Sequence, residues 1–212
     1  MEPTDLFPLT DVRSGEKMTL WTMQPIHIWD MIQKTGVYRC DPEKTSMKEM
    51  EFTSKYDWLV RQMEKRIGPP PAGVKYPVWA WHTQEWKHRK PDLRSERWCY
   101  GSGNEEYACI EFEIPDDQVL LSDFDAWSII LCNGLLNNNE EEADRMDAYC
   151  DSLPEREQKA FQDENWQGVF DLTPMENGWM RRGKWIQATL WELRKDMVRD
   201  VRFFVTGKHK RD

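Results

Sequence analysis

Residues 107–115, YACIEFEIP, alternate without a break: Ala108, Ile110, Phe112 and Ile114 fall on one side, and Tyr107, Cys109, Glu111 and Glu113 on the other. A period of two places successive side chains on opposite faces of a strand, one face apolar and the other polar. Such a strand is stable only with hydrogen-bonded neighbours and an apolar layer over its inner face, as in an antiparallel sheet with one solvated side.

The rest of the chain supplies both. KMTLWTM, 17–23, reads as a short strand closed by Gln24 and Pro25. IHIWDMIQKTG reads as a helix, with Pro25 near its first turn, Gly36 past its end, and Ile28, Trp29 and Ile32 on its buried face. A second helix is predicted over 47–67 from the stripe Met50, Tyr56, Leu59, Val60 and Met63, and the GPPPAG that follows cannot continue it. VKYPVWAW, Val119–Leu121, the alternating segment from Trp185 to Trp191, and DVRFFV read as further strands. Either Ser122 or Asp123 is placed to cap a helix beginning near Asp125. Residues 137–165 read as a polar loop and two solvated helices, an insertion, and residues 1–16 as a loose polar arm before one domain over 17–212. Strands of antiparallel character with separate helices make the class α+β.

Charge limits the partners. With a formal net charge of -9 and a pI near 5.1, the mean field repels phosphate, so general affinity for duplex nucleic acid or anionic membrane is excluded and any anion site must be local. No apolar run approaches the ~18 residues of a membrane span, and the first residues lack a basic then apolar signal layout, which predicts a cytoplasmic protein. The five cysteines are widely spaced without a CxxC pair, and the spacing of His82 and His88 suits no compact ligand pair, so neither a disulfide framework nor a metal is expected.

Four segments, LWTMQPIHIWDMIQKTG, YPVWAWHTQEWKHRKPDLR, IPDDQVLLSDFDAW and WIQATLWEL, resemble in this order an uncharacterised bacterial family known as a domain of unknown function. The resemblance covers most of residues 18–204 and implies no activity. TLWTMQPIHIWDMIQKTGVY is also similar to the opening strand and helix of ADP-ribosyltransferases. That likeness implies a split, mostly antiparallel sheet with flanking helices, NAD as cofactor, and a nucleic-acid or protein acceptor. It sets Thr22 where such enzymes often carry His, and Gln24 where Ser or Thr follows. IQATLWELRKDMVRDVRFFV resembles the closing segment of DNA-modifying members, whose strand presents a catalytic Glu. Gln187 stands in that place, with Glu192, or Glu111 and Glu113, as substitutes if the register differs.

The substitution bears on the chemistry, because a carboxylate stabilises the positive charge that develops on the ribose carbon as nicotinamide leaves. Gln keeps the hydrogen bonds and loses the charge, which implies a diverged transferase or a relative that only binds. On this reading Tyr76, Trp79 and Trp81 stack a nicotinamide, an adenine or a single-stranded base, and Lys90 and Arg94 hold phosphates. Trp21 and Gln24 line the same cleft, and Asp123 or Asp125 bonds ribose. The alternatives are core packing for the tryptophans, a solvated basic loop, a helix-capping Asp123, and a protein-interaction domain that uses its Trp and Arg surface.

Overall fold

The computed structural model describes residues 15–41, 52–101, 103–175 and 181–207. Strand β1, Lys17–Pro25, runs on through Gln24 and Pro25, two residues further than its apolar pattern implies. Helix α1, Ile26–Thr35, follows directly and stops at Gly36, whose φ of 84° is the left-handed cap conformation that glycine adopts without steric cost. The two-residue strand β2, Val37–Tyr38, carries no local pattern and was not expected. Helix α2 is described from Thr53 to Ile67. The first part of its predicted span, including Met50, lies outside the described residues, as does most of the predicted arm.

Strand β3 covers Val78–Thr83. It begins only after Pro77, which has no N–H to give a ladder. A short helix α3, Leu93–Glu96, leads to β4, Glu106–Pro115. Next come β5, Leu120–Asp123, and α4, Phe124–Leu131, then the polar helices α5, Glu140–Ser152, and α6, Glu155–Asn165, neither of which buries a residue. Strand β6, Ile186–Leu190, the short β7, Leu193–Arg194, and β8, Val198–Val205, close the described chain. Among the described residues no helix is long and apolar enough to cross a membrane.

The fold is α+β. Six strands form one sheet in the order β5-β6-β3-β1-β4-β8, with every ladder antiparallel, and β2 pairs β7 apart from it. The sheet is tight within each half and loose between them. β1 pairs β4 from Lys17↔Pro115 to Pro25↔Tyr107, whereas β1 meets β3 at a single pair, Trp21↔Trp81.

Strand alternation distributes the core. Leu20, Ala80, Ala108, Ile110, Phe112, Ala188 and Leu190 cluster with Ile28 and Ile32 of α1 on one face. On the other face Leu120 and Trp79 meet Trp58, Leu59 and Met63 of α2 and Trp127 and Ile130 of α4. The wholly buried Ile110 and Phe112 each contribute about 1.5–3 kcal/mol, so the strand with the strongest alternation also sits at the centre of the packing.

Candidate functional site

The loose join between the sheet halves makes a fork. Beyond Trp21↔Trp81 no further β1–β3 pair forms, and side chains stand in for the ladder: Thr22 Oγ1 donates to the Trp79 carbonyl at 2.8 Å, and Gln24 Nε2 donates to Thr22 Oγ1 at 2.8 Å. The fork holds a cavity of about 190 Å³ lined by Thr22, Met23, Gln24, Trp79, Ala80, Trp81, Tyr100 and Gln187. Among the described residues no ionisable side chain other than the Tyr100 phenol faces it.

Packing fixes the aromatic wall. Trp81 lies against Phe124 and Trp185, with ring centroids 5.3 and 5.8 Å away, and Trp79 against Trp127 at 5.6 Å and Tyr56 at 6.1 Å. Trp81 Nε1 donates to the Tyr100 hydroxyl at 2.9 Å. Burial raises the Tyr100 phenol far above its ordinary range, so it stays a neutral hydroxyl at any physiological pH.

Gln187 stands opposite Trp81 in the β3–β6 ladder and opposite Ser122 in the β5–β6 ladder. It is 5 % exposed, and its amide nitrogen has no acceptor among the described residues. A buried donor left without a partner costs about 1–3 kcal/mol.

Thr22, Gln24, Trp79, Trp81 and Gln187, all singled out from the sequence, therefore meet at one cavity. The other candidates lie elsewhere. Trp21 is buried next to the join, donating to Glu111 Oε2 at 2.9 Å with its ring 5.2 Å from that of His88. Tyr76 is a core residue whose hydroxyl donates to Asp57 at 2.9 Å. Asp123, not Ser122, caps α4: Oδ1 accepts from the Ala126 amide at 2.9 Å and Oδ2 from the Gly183 amide at 2.7 Å.

Lys90 is held between Glu111 at 2.9 Å and Asp200 at 2.6 Å, away from the cavity, and Arg94 folds back onto Asp92 at 2.7 Å. Burial alone would raise Glu111, but its bonds from Lys90 and Trp21 outweigh that and hold the carboxyl below its ordinary value. Glu192 binds Arg39 at 2.9 Å and Arg194 at 3.7 Å, and Glu113 binds Arg199 at 2.8 Å. Each is neutralised on another surface, and among the described residues no carboxylate lines the cavity. Among the described residues no group of three or more His, Cys, Asp or Glu side chains is arranged to hold a metal ion.

Met23, Ala80 and Tyr100 are the lining residues that sequence reasoning missed, and of these Tyr100 is the one with a polar group. It follows α3 in an irregular segment, and only its tertiary contact with Trp81 brings it to the site.

No curated protein and no solved structure matches the chain. A match to a family of known sequences does exist, and it starts in β1, ends in β8 and contains every residue that lines the fork. It covers residues 19–199 and is to Domain of unknown function (DUF3841), the family to which this chain belongs.

Proposed function

We propose that the protein is a nucleotide-binding module that takes the heteroaromatic ring of NAD or a related nucleotide into the fork between β1 and β3. The single observation carrying this reading is the buried, unpaired amide of Gln187 at the wall of an aromatic cavity. A ligand acceptor placed against that amide would remove the cost of the orphan donor, and the side-chain carbonyl of Gln24, which lines the same cavity from β1 beyond β3, offers an acceptor. A carboxamide, as in nicotinamide, or the lactam edge of a base carries both groups side by side.

Size and charge narrow the reading further. Drug-sized ligands occupy about 300–1,000 Å³, so a cavity of about 190 Å³ takes one ring and leaves ribose and phosphates outside. An uncharged lining favours a neutral ring, and stacking on tryptophan is worth about 1–3 kcal/mol per base. Transfer chemistry finds less support, because no carboxylate lines the cavity to stabilise charge at the ribose carbon.

The test is a tryptophan-fluorescence titration with NAD, nicotinamide, ADP-ribose and a short single strand of DNA, repeated on Gln187→Leu, with release of free nicotinamide followed in parallel. NAD and nicotinamide should give a saturable change that the variant loses, without nicotinamide release. A response unaffected by Gln187→Leu, or none to any ring-bearing ligand, overturns the proposal. Steady release of nicotinamide restores the transferase reading.

A further inference from the structure

A second concavity, of about 790 Å³, lies between α2, α5 and α6, on a part of the molecule that shares no lining residue with the fork. Each helix presents it with side chains four residues apart, which a helical period stacks on one face. α2 brings Asp57 and Arg61, α5 brings Asp147 and Asp151, and α6 brings Glu155, Lys159 and Asp163.

The charges do not cancel evenly. Lys159 has Glu155 and Asp163 one turn to either side and Arg61 follows Asp57 by one turn, so the lining sets five carboxylates, counting Asp147 and Asp151, against two cations. Asp147 and Asp151 form a like-charged pair one turn apart on α5, and no ion pair among the described residues neutralises them. Such a pair weakens its own helix.

Trp58 makes an independent observation. It lines the same groove and is 1 % exposed, and its indole Nε1 has no acceptor among the described residues. The ring cannot turn to find one, because Trp166 meets it edge-on at 5.5 Å and Phe170 stacks on it at 5.8 Å. An indole N–H only donates, so what completes it must carry an acceptor.

We propose that this groove binds a basic peptide segment of a partner protein, whose Lys or Arg side chains pair with Asp147 and Asp151 while a backbone carbonyl accepts from Trp58. A simple polyamine would satisfy the carboxylates and leave the indole donor orphaned, which is why a peptide fits better. The proposal is independent of ring binding in the fork.

The experiment is fluorescence anisotropy of a labelled Lys- and Arg-rich peptide on the full chain. Binding should saturate, weaken about tenfold in the double variant Asp147→Asn/Asp151→Asn, and fall with added salt. The control Glu157→Gln/Glu164→Gln removes the same charge from the opposite face of α6 and should leave it unchanged. Trp58→Phe removes the donor and leaves a smaller ring in the core, so at temperatures where the variant is folded it should weaken the peptide while Glu157→Gln/Glu164→Gln does not. Equal losses in both double variants mean a general charge effect and overturn the site, as does absence of saturable binding. Spermine that displaces the peptide at equal concentration overturns the peptide assignment in favour of an amine ligand.

Discussion

On the two proposals, the fork and the helical groove would recognise their ligands in opposite ways. The fork is assembled from β1, β3, β6 and the segment after α3, and its lining is uncharged and aromatic. The groove is built from helical stripes whose charged residues are mostly exposed. In a poorly hydrated cleft an unpaired hydrogen-bond group is expensive, so selectivity there comes from matching donors and acceptors one by one. At an exposed groove salt screens each pair, so discrimination depends on how many charges the partner matches. A chain with both can hold a small neutral ring and a charged segment without competition between them.

The largest expected effect separates the two. Trp81 supplies the only β1–β3 pair, packs on Phe124 and Trp185 and anchors Tyr100. Trp81→Ala should cost about 3 kcal/mol of stability, as large-to-small core changes do, and should abolish ring binding, read by urea denaturation and by the fluorescence titration. Peptide binding at the groove should persist in conditions where the variant is folded. A parallel loss of peptide affinity would mean the regions are coupled, and the contrast would fail.

A smaller effect uses pH. Glu96 is 8 % exposed and bonds Gln84 and Tyr100, so it sits behind the fork wall. Burial raises its pKa above the ordinary 4.5, against the opposing influence of those bonds. Below that ordinary value both folded and unfolded chains hold the proton. As pH rises the unfolded chain releases it first, so the stability from this group is lost progressively until the folded pKa is passed. Glu96→Gln should flatten that part of a plot of unfolding free energy against pH. A slope identical in variant and parent would remove Glu96 as its source. Added salt should weaken peptide binding and leave nicotinamide binding almost untouched.

How much of this was legible depended on the distance over which each signal acts. The α1 helix with its glycine stop, the alternation of β4 and the polar helices near 137–165 are local patterns, and the structure has them where the sequence puts them. Gln24 and Gln187 are reached through a resemblance and Trp81 through its aromatic setting, but what brings them to one cavity is ladder register, which no stretch of fewer than a hundred residues contains. Tyr76 went to the core because Asp57, a turn into α2, accepts its hydroxyl. Lys90 and Arg94 look like phosphate ligands when acids are counted only along the neighbouring sequence. In three dimensions Glu111 and Asp200, on the adjacent strands β4 and β8, reach Lys90 first.

The smallest predicted effect concerns that same lysine. Its side chain is 42 % exposed, and pairs of this kind contribute little to stability because water and salt screen them. Lys90→Met should therefore change the denaturation midpoint by an amount near the limit of measurement, and Trp21 keeps its acceptor in Glu111. The informative comparison is between ligands: nicotinamide carries no phosphate and NAD carries two. If Lys90→Met weakens both equally or neither, the phosphates lie free in solvent and the fork recognises the ring alone. If it weakens NAD selectively, Lys90 leaves Glu111 or Asp200 when the nucleotide arrives, and the fork gains a cationic rim that brings its chemistry closer to that of the groove.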